Sequence, residues 1–351
     1  KIAGVPEFVV KVLSAQEIMA SVRETELMLR EAGAAGIIEF TPGSLTAAPP
    51  VRPGFLDMSP AESTTGTYRR LPNYSLPGTQ ATEIVPRITI TEKAANEILK
   101  GTGMSWEEYR KRADSNLAYK LQDTEGKSIF YKSVNNITSV PVRNVIGIIE
   151  GNKTDEIIVL GAHYDHMGMA DGYIWNGADD NGSGTVGIMT IAKAIMETGQ
   201  KPDKTIIIAL WAAEEVGLLG SRHYVNNLPY PVHNLKMNLN LDMISRYISD
   251  DDRRKVIMTY STSCPHFREL TEKNLSKHGI DLVVDYQPSD NPPGGSDHQS
   301  FVAAGVPIMR FKPGHREEYH TPADEVRTVN WDIMEKIVKI CFANIWELAN
   351  D

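Results

Sequence analysis

The chain has 351 residues and is poor in cysteine. Cys264 and Cys341 are all it has, far apart and in no CxxC-like spacing. Two thiols so placed read as separate buried side chains, with a disulfide left open, and they exclude a cysteine-built metal site. Any metal must be held by His and carboxylates. No uninterrupted run of about 18 apolar residues occurs, so no membrane span is expected. No Lys/Arg-rich run occurs either, and the formal net charge is −9. Phosphate binding needs a clustered basic surface, so nucleic acid is excluded as a partner. No signal peptide is visible. The chain begins with Lys1 rather than Met, which reads as a processed or truncated start. Internal repeats and low-complexity tracts are also missing.

What is present is ordinary for a globular protein, with 41% hydrophobic and 23% charged residues. The length favours two domains, divided here as 1–114 and 115–351. In the first, residues 17–35 read as an amphipathic helix and 36–40 as a short buried strand. A Pro/Gly/Ser/Thr-rich loop covers 41–80, and 86–91 resembles a strand leading into a helix capped by Thr91. A helix or linker follows over 105–114. From about residue 116 an antiparallel hairpin is expected (117–121 with 128–134), then a strand over 145–149. After that, strands at 157–160, 206–210, 237–241 and 306–311 alternate with helices at 184–198, 265–278 and 332–349. Val186, Met189, Ala192 and Met196 fall at helical spacing in the first of these helices. The fold class is α/β: a mixed, mostly parallel sheet flanked by helices, with a smaller N-terminal α+β domain. Asn-x-Ser/Thr sequons stand at Asn136, Asn152, Asn181 and Asn274.

The chemistry lies at the strand ends. Strand 157–160 runs into His163-Tyr164-Asp165-His166, strand 206–210 into Glu214-Glu215, strand 237–241 into Asp242, and strand 306–311, after a short loop, into His320. Open α/β sheets bind ligands at that edge. Asp179 lies in the glycine-rich loop Gly177-Ala178-Asp179-Asp180-Asn181-Gly182-Ser183-Gly184 before a helix. Each group alone has an ordinary reading as a turn, an N-cap or a solvated pair. Five of them meeting at one sheet edge favours a joint site. Two His and three carboxylates without Cys suit zinc, and less specifically manganese or cobalt. Five side chains can hold two ions if one carboxylate bridges them, and two ions about 3.5–4 Å apart can share and activate a water. Of two adjacent glutamates, one can bind metal while its neighbour takes the proton.

These segments, with Ala213-Glu214-Glu215-Val216-Gly217-Leu218-Leu219-Gly220-Ser221, Asn240-Leu241-Asp242-Met243 and Tyr319-His320-Thr321-Pro322-Ala323-Asp324, resemble the co-catalytic zinc aminopeptidase family. That family also holds glutamate carboxypeptidases, glutaminyl cyclases and the transferrin receptor. The resemblance runs from about Val145 to the end. It implies two zinc ions per chain and a peptide substrate. One zinc would be held by His163, Asp179 and Asp242, the other by Asp179, Glu215 and His320, with Asp179 bridging. Glu214 would be the general base and then acid, and Asp165 would orient the His163 ring. A cis peptide is implied at Asp179-Asp180, and residues 295–301 would line the substrate pocket. The first third is similar, more weakly, to a protease-associated domain, and with the family habit this gives a secreted or periplasmic location.

Three other functions stay open. A glutaminyl cyclase would use a single zinc. A carboxypeptidase or dipeptidase would need an arginine for the substrate carboxylate, with Arg222, Arg246, Arg310 and Arg316 available. A binding protein on the same scaffold would have lost ligands or base, and here all are present. Oligomeric state is not readable.

Overall fold

A computed structural model of the protein describes residues 138–351 apart from 171, 172, 248, 249 and 315. Of the first 137 residues it describes scattered positions that include 27–28, 35–39, 74–77, 87–90 and 92–101. The described residues fall into two compact units, the larger containing all of 138–351. The smaller has two parallel strands, β1 (Ile37–Glu39) and β2 (Arg87–Thr89), and helix α1 (Glu92–Leu99), where the sequence places two strands and a helix. Most of the helix expected over 17–35, nearly all of the hairpin over 117–134, and much of 41–80 and 105–114 lie outside the described residues.

The larger unit begins with β3 (Val145–Ile149) and β4 (Lys153–His163), then a small antiparallel pair, β5 (Met169–Ala170) and β6 (Tyr173–Ile174). A tight turn over Ala178–Ser183 leads into α2 (Gly184–Glu197). Next come β7 (Lys204–Trp211), α3 (Leu219–Asn226), β8 (Leu235–Leu241), β9 (Lys255–Tyr260) and α4 (His266–His278). The chain ends with β10 (Val283–Pro288), α5 (His298–Ala303), β11 (Ile308–Lys312) and α6 (Trp331–Ala349).

Seven strands form one sheet in the order β10-β9-β11-β8-β4-β7-β3. β11, β8, β4 and β7 are parallel neighbours. β9 and β3 run antiparallel to β11 and β7. This is the mixed, mostly parallel sheet read from the sequence.

β4 shows why. Its apolar run from Ile157 to Ala162 is buried throughout, as a central parallel strand covered on both faces must be. Successive side chains alternate between faces. Ile158, Leu160 and Ala162 join Ile188, Ile191 and Ile195 of α2 and Ile337, Ile340 and Ile345 of α6. Ile157 and Val159 join Ile207, Ala209, Trp211 and Phe301 on the other side. Helix α2 therefore seats the stripe Ile188-Ile191-Ile195 on the sheet. The stripe noted in the sequence faces the other way, with Val186, Met189 and Met196 exposed. Gly161 is needed because a Cβ there would come 2.5 Å from the Trp211 indole nitrogen.

The sequence reading missed the short pair β5 and β6, and β9, β10, α3 and α5. Lys255–Tyr260 is rich in Val, Ile, Thr and Tyr, which is itself a strand signal. Both cysteines are free thiols, Cys341 buried and Cys264 half-buried. Asn181 and Asn274 are buried, so two of the four sequons are closed to a glycan in the folded protein. Among the described residues no helix is long and apolar enough to cross a membrane.

Candidate active site

Parallel pairing brings four strand ends to one edge. His163 closes β4 opposite Trp211 at the end of β7, and Leu241 of β8 pairs with Phe311 of β11. The loops leaving these ends carry the polar residues. Among the described residues, four that are not glycine have left-handed backbones, and three of them lie here: Ala213 (φ 58°) before Glu214, Met243 (φ 57°) after Asp242, and His320 itself (φ 55°). Such conformations are costly for ordinary side chains and persist where surrounding structure holds them.

At the centre lies the carboxylate of Asp180. Its Oδ1 is 3.3 Å from His163 Nε2 and its Oδ2 is 3.0 Å from His320 Nε2. His163 Nε2 is also 3.6 Å from Asp242 Oδ1 and 3.9 Å from Glu214 Oε2. His320 Nε2 is 3.4 Å from Glu215 Oε2. The structure thus brings together His163, Glu214, Glu215, Asp242 and His320 from the expected set.

Asp179, expected as the bridge, is not among them. Its Oδ1 accepts hydrogen bonds from the Ser245 backbone N–H (2.9 Å) and hydroxyl (2.6 Å), and its Oδ2 lies 3.9 Å from Arg246 Nε. The side chain ties the turn to the loop after β8, and Asp180, one residue on, takes the central place. The cis peptide is likewise displaced by one, to Asp180-Asn181. Asp324 holds the turn from outside, accepting from the backbone N–H groups of both Asp179 and Asp180. Arg246 donates to Asp324 at 2.7 Å and to Thr328. Asn181 closes the turn by accepting from Gly184 N–H and donating to Leu241 O.

Asp165 also differs from expectation. Its carboxylate accepts from the backbone N–H groups of Glu214 (3.1 Å) and Glu215 (3.3 Å) and is 3.9 Å from the His163 ring. The ring nitrogen His163 Nδ1 meets the Asp165 carbonyl instead, at 3.0 Å. The residue therefore orients the glutamate pair with its side chain and the imidazole with its backbone. Of the segment expected to line the substrate pocket, Ser296, Asp297 and His298 have no exposed surface. Ser296 Oγ accepts from Asn240, and His298 packs on Arg310.

His166, like Asp180, is a site residue to which sequence reasoning gave no role. Its Nδ1 is 2.7 Å from Glu215 Oε1, and its ring meets His320 edge-on at 5.8 Å. The only signal was its place three residues after His163.

Electrostatically the cluster is unbalanced. Asp180, Glu214, Glu215 and Asp242 crowd around three imidazoles in a largely buried setting. Burial pushes Glu214 up to about 9. Burial also opposes charge on His163 and His320, but neighbouring carboxylates outweigh it and raise both, His320 to about 9. Asp180 stays below its ordinary range because contacts to His163 and His320 overcome burial, and Glu215 does so because contacts to His166 and His320 overcome it. A group this rich in desolvated carboxylate calls for positive charge.

The donors fit a metal. His163, Asp180 and Asp242 offer three atoms within 4.8 Å of one another, and Asp242 Oδ1 is buried with no hydrogen-bond partner. Around tetrahedral zinc, with ligand bonds of about 2.0–2.2 Å, neighbouring ligand atoms stand about 3.4 Å apart. The contacts of His163 and His320 with Asp180, Asp242 and Glu215 span 3.0–3.6 Å.

The profile of peptidase family M28 matches residues 144–345, more than half the chain. Leucine aminopeptidase 2 of Trichophyton rubrum is 38% identical over 170 residues, which cover 47% of this chain and 32% of the relative. Aminopeptidase YwaD of Bacillus subtilis is 29% identical over 225 residues, 62% of this chain and 46% of the relative. Of solved structures, the LapA aminopeptidase of Legionella pneumophila aligns with TM-score 0.50 and 27% identity over 59% of this chain and 55% of that one. BSAP, a zinc aminopeptidase from Bacillus subtilis, aligns with TM-score 0.50 and 27% identity over 59% and 50%. The chain spans about a third of the length of the fungal relatives it matches.

Proposed function

We propose that this chain, which belongs to peptidase family M28, is an aminopeptidase that removes the N-terminal residue of a peptide with two zinc ions. The observation that carries the reading is the Asp180 carboxylate lying between His163 and His320, one oxygen toward each. His163, Asp180 and Asp242 would hold one ion, and Asp180, Glu215 and His320 the other. Bound zinc would supply a Lewis acid that polarises the scissile carbonyl and makes the attacking water more acidic.

The chain's own residues do the rest. Glu214 is fixed through its backbone N–H on Asp165, with its carboxyl turned toward His163. It takes the proton of the attacking water and passes it to the leaving amine. In the metal-free protein burial raises its proton affinity, and bound cations would favour the ionised carboxylate that the base step needs. General acid–base help of this kind contributes about 10²–10⁴-fold. The names of the leucine and zinc aminopeptidase relatives support this activity over the cyclase and binding-protein readings.

A carboxypeptidase or dipeptidase would need an arginine that reaches the substrate carboxylate, and the arginines among the described residues give it less support. Arg310 is buried against His298 and the Pro293 carbonyl, and it forms no ion pair with a carboxylate among the described residues. Arg246 is committed to Asp324, and Arg316 pairs with exposed Asp250. The protease-associated reading of residues 1–114, the catalytic reading of 115–351 and the secreted or periplasmic location remain part of the proposal.

The test is metal content with hydrolysis of amino-acid nitroanilides, their N-acetylated forms and C-terminal glutamate dipeptides. About two zinc per chain, with cleavage that requires a free amine, is expected. Cleavage of N-blocked substrates with a free C-terminal carboxylate would replace aminopeptidase by carboxypeptidase.

A further inference from the structure

His166 lies among the site residues, yet the zinc pair as proposed does not use it. Its ring is nine-tenths buried, and its Nε2 has no hydrogen-bond partner. The ring is seated tightly. A Cβ on Gly177 would come 2.7 Å from His166 Cγ, and Gly177 has φ +62°, so the residue facing the ring can hardly be anything but glycine. His320 packs on it edge-to-face.

Two roles are open to an imidazole so placed beside Glu215: another ligand, or a group that holds the ligand. Distance decides. Two ligands of one tetrahedral zinc stand about 3.4 Å apart, because their separation is set by the two metal bonds and the angle between them. The His320–Glu215 contact, at 3.4 Å, has that length. The His166–Glu215 contact, at 2.7 Å, is too short for it and matches a charge-assisted N–H···O hydrogen bond. An ionised carboxylate can only accept, so the ring carries its proton on Nδ1. Glu215 is then gripped twice from behind: its backbone N–H by Asp165 Oδ2, and its Oε1 by His166. Its Oε2 is left facing His320.

We infer that His166 is a positioning residue that donates from Nδ1 to Glu215 Oε1 and thereby fixes Glu215 as a ligand of the zinc shared with His320. This rests on the two-zinc reading above. Partners of this kind behind a metal ligand typically change metal affinity about 10–100-fold.

The test titrates zinc into the metal-stripped full chain by competition with a chelator. It compares the wild type with His166→Leu, which lacks the donor, and His166→Asn, whose side-chain N–H stands close to where Nδ1 was. The expected result is that His166→Leu weakens one zinc equivalent about 10–100-fold and leaves the other unchanged, while His166→Asn restores most of the loss. X-ray absorption of the zinc-loaded forms should count the same number of imidazoles in the wild type and His166→Leu. Loss of one imidazole would make His166 a ligand and overturn the inference. So would equal weakening of both equivalents with a lower melting temperature, which would make it a packing residue, or His166→Asn falling as far as His166→Leu. A wild type that takes up fewer than two equivalents would overturn the two-zinc reading, and this inference with it. Two equivalents untouched by His166→Leu would overturn the inference alone.

Discussion

Two turns at the same sheet edge each carry a pair of adjacent, identical acids, and they use them differently. In the turn after β7, Glu214 and Glu215 both face the centre, one toward His163 and the other between His166 and His320. In the turn before α2 only Asp180 does; Asp179 faces Ser245 and Arg246. The anchoring explains the contrast. Asp165 binds both backbone N–H groups of the glutamate pair from one side, leaving both side chains to the other. Asp324 binds both backbone N–H groups of the aspartate pair too, but there the loop after β8 offers Ser245 as a second destination, and Asp179 takes it. Identical neighbours acquire separate roles from what their second contact offers.

Removing the shared carboxylate tests this contrast most severely. Asp180→Ala should abolish uptake of both zinc equivalents and lower hydrolysis by more than about 10³-fold, since the groups act as a unit. Metal analysis after dialysis checks it. Retention of both ions would show that Asp180 is not the bridge. Next comes Glu214→Gln. Both zinc ions should stay, and turnover should fall by about 10²–10⁴-fold. A near-normal rate would remove Glu214 from proton transfer.

The same variant sharpens the comparison in the metal-stripped protein. Glu214 has its folded-state proton affinity raised from 4.5 to about 9 by burial. The native state then binds more protons than the unfolded state between these values, so the contribution of Glu214 to stability is full below about 4.5 and is lost as pH rises toward 9. Glutamine does not titrate. Metal-stripped Glu214→Gln should therefore melt above metal-stripped wild type at pH 8–9, and the gap should shrink as pH falls toward 5. A gap independent of pH would mean that the carboxyl is solvated and not held neutral by burial.

Much of this site is legible in the order of the amino acids, for physical reasons that also mark the limit. Strands buried on both faces are rich in apolar residues, so 157–160 and 206–210 announce themselves, 237–241 shows itself by alternating Met237, Leu239 and Leu241 with asparagine, and the parallel order fixes which end carries the ligands. His163, Glu214, Glu215, Asp242 and His320 follow from that edge. Which of two adjacent aspartates turns inward does not. It depends on the dihedral path of the Ala178–Ser183 turn and on Ser245 and Asp324, which stand 66 and 145 positions beyond Asp179. His166 escaped for a related reason: nothing local says that its ring nitrogen will meet Glu215 from another strand end. Nor did sequence show which stripe of α2 would be buried, because both stripes are apolar and only the sheet chooses.

The mildest change closes the comparison. Asp179→Asn keeps an oxygen where Oδ1 accepts from the Ser245 N–H and hydroxyl. It replaces Oδ2, which is buried without a hydrogen-bond partner, by an N–H₂ group equally without one, and it removes the negative charge 3.9 Å from Arg246 Nε. Arg246 keeps Asp324, so the guanidinium is not left unpaired. Burial already pushes Asp179 up to about 6, so the charge being removed is one the fold holds at some cost. The oxygen facing Arg246 is exchanged for a donor facing a cation, so a loss of about 1–3 kcal/mol of stability is expected, measured by denaturant unfolding of the zinc-loaded protein. Both zinc ions should remain, and turnover should change by no more than several-fold. If Asp179→Asn instead lost metal as Asp180→Ala does, the two aspartates would share one role, and the contrast between the turns would fail at its most specific point.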